Sequence, residues 1–411
     1  MLGSSCSDDS TATSAGASSS SASTGTAGAG GGLQCDEPFV TKGPWVLAVD
    51  GTSAKVRWEA CDEAAVQGVV VTPESGGDET SVESTATPFT LSETHEAGLN
   101  PDAPPDFAGT YFIHEAALDG LESGACYRYT LAADDSRGGR FCTARPSGEP
   151  FRFIAIGDTN PALGTTEDTI AAVLPENFDF TLHGGDVQYY ESFLETWASW
   201  FPLMQPLLSQ GAFLPAIGNH ESEVADELDE YALRFFGNAG FFGKIDYYGF
   251  ESGGVWFFNV NTEEAITQGS EQAIWLEQQL VQAMDRPGFR FSVVYLHRPL
   301  LTCGDADDNV PAYEFFTPIF EATKVLFVVQ AHMHGYERFE FPTGPTYITT
   351  GGGGGVIQDP SENLSRAYCD ARVVVGDYFH STVFDVGETE VVVRAIDRDA
   401  EVRDTFSRMI E

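Results

Sequence analysis

Lysine is scarce in this chain, at four of 411 residues, and Lys and Arg together number 21 against 62 Asp and Glu. The formal net charge is −41. A surface so short of cations argues against nucleic acid or an anionic membrane as a partner. An anionic substrate would be repelled by the chain as a whole and needs a strong local positive charge to bind. Long apolar runs are missing too: no stretch of 18 or more apolar residues occurs, so no segment reads as a membrane-spanning helix. The seven cysteines include no CxxC pair, which disfavours a zinc ribbon or finger. The glycine run 351–355 has no Lys-Ser or Lys-Thr after it and is not a phosphate-binding P-loop. No internal repeat is visible.

What is present divides into three parts. Residues 1–34 form a tether. From Ser7 to Gly32 every residue except Asp8 and Asp9 is Ser, Thr, Ala or Gly, a composition that cannot bury a core. Cys6 at its head resembles the acylated Cys that anchors a bacterial lipoprotein, the alternative being a disordered head with a chance Cys. From 35 to 147 short alternating strands (54–60, 68–73, 110–118, 126–132) lie between turn-rich stretches, as in a small β-sandwich. The stretch 144–150, "ARPSGEP", reads as a hinge. From 151 to 411 the strands 151–158, 177–186, 289–297 and 324–332 alternate with helical spacing at 166–174 and 270–284, which predicts an α/β layered core. Six cysteines remain beyond Cys6. Cys126 and Cys142 flank a strand–turn–strand and should face each other, and Cys35–Cys61 and Cys303–Cys369 follow only by elimination, with six free thiols as the alternative.

Metal-competent side chains close five of the strand ends: Asp158 in "IGDTN", Asp186 in "HGGDVQY", Asn219 and His220 in "IGNHE", His297 in "YLHRP", and His332 with His334 in "QAHMHGYER". Each alone is weak. Together they gather carboxylate, amide and imidazole donors on one expected edge of a sheet, where α/β folds bind ligands. Such donors suit first-row metals, and a dinuclear site suits phosphoryl chemistry. The metals would also supply the positive field that an anionic substrate needs.

The order GD, GDxxY, GNHE, strand-end His and HxH resembles the purple acid phosphatase branch of the calcineurin-like metallophosphoesterases. "YGFESGGVWFFNVNTE" (248–263) and "GPTYITTGGGGG" (344–355) are similar to segments of that family, and 35–147 resembles its fibronectin type III-like domain. The resemblance implies an all-β fibronectin type III-like sandwich followed by an α/β metallophosphoesterase domain, a two-sheet β-sandwich core flanked by helices. It further implies that Asp158, Asp186, Tyr189 and His334 hold a first metal, that Asn219, His297 and His332 complete a second, and that Asp186 bridges them. Tyr189 would be the tyrosinate ligand. Counting Asp186 as half to each metal, the ligand charge is about −2.5 at the first site and about −0.5 at the second, which favours Fe(III) beside a divalent Zn, Mn or Fe. Two divalent metals are the alternative.

The activity so implied is hydrolysis of phosphomonoesters by a metal-bound hydroxide, with the catalytic His220 not a ligand but a proton donor or hydrogen-bond partner to the leaving oxygen, and Arg298 and Asn160 within reach of substrate. A Mn- or Zn-dependent phosphodiesterase on the same fold is one alternative. A non-catalytic surface binding protein is another. The expected partner is a phosphorylated small molecule, without nucleic acid, and no protein partner is inferable. The expected location is outside the cytoplasm, in the cell envelope or secreted, with any membrane contact made through the N-terminal lipid. His183 is expected to support or pack, His95, His114 and His380 to lie at the surface or in the sandwich, and Glu337 to pair with Arg338. Ala331 stands where the family usually has Gly.

Overall fold

The computed structural model describes residues 33–37, 39–98, 100–132, 134–189, 196–221, 234–237 and 247–410. The tether and Cys6 lie outside them. Gly32–Glu411 is one compact unit.

Its first eight strands are β1 (Val40–Leu47), β2 (Ser53–Ala60), β3 (Gly68–Pro73), β4 (Thr80–Glu83), β5 (Thr85–Leu91), β6 (Gly109–Asp119), β7 (Cys126–Leu131) and β8 (Asp134–Cys142). They form two layers, β1-β2-β6-β5 and β4-β3-β7-β8, so the sandwich is present. Cys126 sits opposite Cys142 in the β7–β8 ladder and bonds to it. Cys35–Cys61 and Cys303–Cys369 are also disulfides.

The remaining strands are β9 (Phe151–Ile156), β10 (Phe180–His183), β11 (Ala212–Pro215), β12 (Gly249–Ser252), β13 (Val255–Val260), β14 (Phe291–Leu296), β15 (Val325–Gln330), β16 (Tyr336–Phe339), β17 (Thr346–Thr350), β18 (Arg372–Gly376), β19 (His380–Val386), β20 (Glu390–Asp397) and β21 (Val402–Met409). One sheet carries β21-β20-β19-β9-β10-β11 and the other β12-β13-β14-β15-β17-β16-β18. The inner faces meet through phenylalanines. Phe153 stacks on Phe180 (5.3 Å) and Phe384 (4.5 Å), and Phe257 meets it edge-on from the opposite sheet at 5.1 Å. Helices Thr165–Val173 and Trp197–Leu208 cover the outside of the first sheet, and Glu271–Met284 and Val310–Ala322 that of the second. Burial on both faces is why β9, β14 and β15 read as continuous apolar runs rather than alternating ones.

Two features were not foreseen. Val46 of β1 pairs in parallel with Ala212 of β11, so the sandwich layer and the first catalytic sheet form one ten-stranded sheet. Helix Trp197–Leu208 contains Pro202 and Pro206, which hid it from propensity arguments. It forms because its N-terminus is strongly capped: Thr196 and Ser199 make a capping box, and buried Asp106 of the sandwich accepts from the backbone N–H groups of Trp197 (2.8 Å) and Ala198 (3.0 Å). The stretch 144–150 is not a free hinge either. Arg145 makes a forked ion pair with Asp179 (2.7 and 2.9 Å), and Ser147 Oγ donates to Gly288 O at 2.6 Å.

Replacing Asp106 by Ala strands two helix N–H groups in a dry interface, and each cap of this kind contributes about 1–2 kcal/mol. Denaturant unfolding of Asp106→Ala should therefore show a loss of about 2 kcal/mol or more. An unchanged midpoint would mean that the helix is held by packing alone.

Candidate metal centre

The parallel strands β9, β10, β11, β14 and β15 deliver their C-terminal loops to one end of the sandwich, and every candidate ligand sits there. Asp158, Asp186 and His332 each have positive φ (58°, 48° and 67°), a conformation that non-Gly residues adopt only under constraint. The constraint is a lacing of the loops. Asp158 N donates to Gly185 O (3.1 Å), Thr159 N to Asp186 O (3.1 Å), and Gly355 N to Asp158 O (2.8 Å).

Two sets of donor atoms converge, Asp158/Asp186/His334 and Asp186/His297/His332, each within 4.8 Å and with Asp186 common to both. His334 Nε2 is 3.3 Å from Asp158 Oδ1, and His297 Nε2 is 3.3 Å from Asp186 Oδ1. Asn219 Oδ1 lies 3.0 Å and His332 Nδ1 3.1 Å from His297 Nε2. Tyr189 Oη lies 3.3 Å from His334 Nε2. The outer nitrogens fix the ring orientations: His297 Nδ1 donates to Gly184 O (2.9 Å) and His334 Nδ1 to Val356 O (2.8 Å), which turns both Nε2 atoms inward.

The electrostatics fit a cation at this point. Burial disfavours a charged His297, yet Asp186 overrides it and holds the imidazole up to about 9. His334 is likewise pulled up against burial by Asp158. Burial also opposes ionisation of Asp186, but the neighbouring imidazole of His297 outweighs it and draws the carboxyl down. His332, half-buried and beside His297, is pushed down by desolvation and by His297 to about 3 and offers a neutral nitrogen. The carboxylates of Asp186 and Asp158 thus favour positive charge where the two donor sets converge.

His220 stands beside the donor sets. Its N–H donates to Asp186 Oδ1 (2.9 Å), its ring packs on Tyr189 at 4.2 Å between centroids, and its Nε2 is 3.9 Å from Asp186 Oδ2. Arg298 forms a forked pair with Glu263 (2.7 and 3.0 Å) and brings Nη1 to 3.3 Å from His332 Nε2. Asn160 is buried, its N–H on Thr166 Oγ1 and its Oδ1 without a hydrogen bond among the described residues.

Glu221 was missed by sequence reasoning. Its buried carboxylate accepts from the backbone N–H groups of Asp186 (3.0 Å), Val187 (2.8 Å), Gln188 (3.4 Å) and Gly218 (2.8 Å), tying the Asp186 loop to the Asn219 loop. Burial, and then Asp186, push its carboxyl up to about 8. The one clue was an acid following "GNH" with no basic residue to neutralise it.

The glycine run is explained by close approach. A Cβ at Gly355 would lie 2.7 Å from His334 Cε1 and 3.1 Å from Tyr189 Oη, and one at Gly351 would lie 2.8 Å from Asp158 Oδ2. Ala331 fits because Gly157 and Gly184 leave room for its methyl group. His183 supports the site: it accepts from Gly185 N (3.2 Å) and lies 3.0 Å from Thr159 Oγ1.

Two expectations need correction. His380 is neither at the surface nor in the sandwich but fully buried in β19 against Gly352. His114 does lie in the sandwich, stacked on Trp58. Glu337 and Arg338 do not pair, because adjacent strand residues face opposite ways. Glu337 instead binds Thr302 Oγ1, Cys303 N and Arg372, while Arg338 binds Asp404.

Residues 151–336 match the calcineurin-like phosphoesterase family. Two similar chains from Arabidopsis thaliana are probable purple acid phosphatase 20 (28% identical, covering 68% of this chain and 68% of that one) and purple acid phosphatase 18 (27%, 68% and 65%). These matches support a purple acid phosphatase-like metallophosphoesterase. The alignments reach about two thirds of each relative's length. The fold agrees with the purple acid phosphatase PPD1 from yellow lupin (Lupinus luteus) seeds, at TM-score 0.70 and 17% identity over 89% of this chain and 73% of that one.

Glu221→Gln keeps the volume but puts an NH2 donor in place of one of the two oxygens that receive the four N–H groups. Bound metal, measured by elemental analysis, should fall at least tenfold in apparent affinity, as for loss of groups that orient ligands. Full metal content in that variant would reduce Glu221 to packing.

Proposed function

We propose that this chain is an exported phosphomonoesterase working at a dinuclear Fe(III)–M(II) centre, with M being Zn, Mn or Fe. The observation that carries the reading is the pair of donor sets sharing Asp186 with a tyrosine hydroxyl against one of them. Asp158, Asp186, Tyr189 and His334 would hold the first ion, and Asp186, Asn219, His297 and His332 the second. Oxygens and imidazole nitrogens suit these metals, and buried Asp158 Oδ1 faces His334 Nε2 at 3.3 Å. When bound, the metal pair supplies Lewis acidity and a hydroxide nucleophile in mild acid.

The chain's own residues do the rest. His220, held by its backbone to Asp186 and packed against Tyr189, is half-buried beside the donor sets, where it can give a proton to the departing alcohol oxygen. Arg298 is kept rigid by Glu263 and lies beside His332, so it can steady a phosphate oxygen. Asn160, two residues after Asp158, keeps a buried amide oxygen without a hydrogen bond among the described residues, a group that could meet a substrate. Three disulfides support an oxidising location. A lipid on Cys6 would place the enzyme in the cell envelope.

The deciding measurement is the visible spectrum of protein purified with its metals, beside elemental analysis. Iron together with a broad charge-transfer band, lost in Tyr189→Phe, is expected. A colourless, active protein holding only Mn or Zn, and preferring bis-p-nitrophenyl phosphate, would favour a phosphodiesterase instead. His220→Ala should keep its metals and lose about 10²–10⁴-fold in kcat on monoesters.

A further inference from the structure

We propose that the mouth of this site selects phosphomonoesters of apolar, uncharged alcohols, with Val356 and Leu163 as the specificity-determining side chains. The proposal rests on the phosphomonoesterase reading above. Val356 is 69% exposed although its carbonyl accepts the Nδ1–H of His334 at 2.8 Å. Its backbone is therefore pinned one hydrogen bond from the donor atoms while its side chain stands in solvent. Leu163, 42% exposed, ends the short helical turn Pro161–Leu163 that follows Asp158. That loop is stitched to the glycine run by Thr165 Oγ1 donating to Gly354 O (2.7 Å) and by Gly355 N donating to Asp158 O (2.8 Å).

A single exposed Leu or Val is ordinary on any surface. Here two of them stand on loops that are bonded to each other beside the site, one following Asp158 and the other holding His334 through the Val356 carbonyl. A water-exposed apolar group in such a place gains free energy only when a ligand covers it.

The charges of the same rim define what it rejects. Asp305, Asp307, Asp359 and Glu362 are exposed, and Asp305 N donates to Asp359 O (2.8 Å), which joins their loops. Gln358, next to Asp359, holds His334 from both sides, its N–H on His334 O (3.0 Å) and its Oε1 accepting His334 N (2.8 Å). The nearby arginines are engaged, Arg298 with Glu263 and Arg366 with Asp308. A second phosphate on the substrate would meet carboxylates at this rim, so polyphosphates and multiply phosphorylated alcohols are disfavoured.

The test compares kcat/KM for benzyl phosphate and glycerol 1-phosphate, two esters of unactivated primary alcohols, using the metal-loaded full chain. Wild type should prefer benzyl phosphate, and the preference should fall about fourfold or more in Val356→Ser and in Leu163→Ser, each covered methylene being worth about that factor. Taking the ratio cancels any general loss of activity in a variant. Hydrolysis of both esters with a ratio near one, or with one that neither variant changes, overturns the proposal and leaves the phosphomonoesterase reading standing. Hydrolysis of neither by wild type, with bis-p-nitrophenyl phosphate cleaved, overturns both.

Discussion

Three carboxylates, those of Asp158, Asp186 and Glu221, are buried in one knot of loops, and nothing in the fold would bring them together without a compensating positive charge. Desolvated like charges repel by several kcal/mol even at a generous effective dielectric. The structure relieves this in two ways. Glu221 is satisfied by four backbone N–H groups rather than by a cation. Asp158 and Asp186 instead have the imidazoles of His334 and His297 turned toward them at 3.3 Å, and they favour positive charge there. The asymmetry is informative: the carboxylate that accepts four backbone N–H groups shapes the backbone, and the two with imidazoles at 3.3 Å belong to the donor sets.

That arrangement imposes its cost on the backbone. Three positive-φ residues and a five-glycine run are tolerated only because rigid strands on both sheets arrive at the same end. The N-terminal sandwich is part of this scaffold. Asp106 caps helix Trp197–Leu208, and from that helix Trp200 Nε1 donates to Val187 O at 2.7 Å, one residue beyond Asp186. Arg57 of β2 and Trp45 of β1 both donate to Phe235 O (3.1 and 3.2 Å), within the segment that follows the Asn219 loop in the chain. A sandwich joined to the catalytic sheet through β1 and β11 acts as one wall of the same building, not as an independent binding module.

Much of this was legible in the sequence, for a definite reason. Strands buried on both faces write themselves as apolar runs, and polar residues that close such runs have few reasons to be there, so Asp158, Asp186, His297 and His332 stood out. Cys126 and Cys142 could be paired because hairpin register is local. What was hidden depends on long-range contact. Glu221 looks like any acid until four N–H groups from two loops converge on it, and helix Trp197–Leu208 contradicts its own propensity until Asp106, about ninety residues earlier, supplies the cap. Glu337 and Arg338 are adjacent in β16, and strand alternation sends neighbouring side chains to opposite faces.

The overall charge of −41 now has a place in the argument. Long-range repulsion of an anion is screened beyond roughly 8–10 Å in physiological salt, whereas a cation held among buried carboxylates acts at contact distance. A strongly acidic surface is therefore compatible with a phosphate substrate only if the attraction is short-ranged and local. The same surface gives no help to a second or third phosphate held away from the metals. Acidity outside and donor convergence inside together favour a ligand with one compact anionic group and a neutral remainder, and the exposed Val356 and Leu163 are consistent with what that remainder touches.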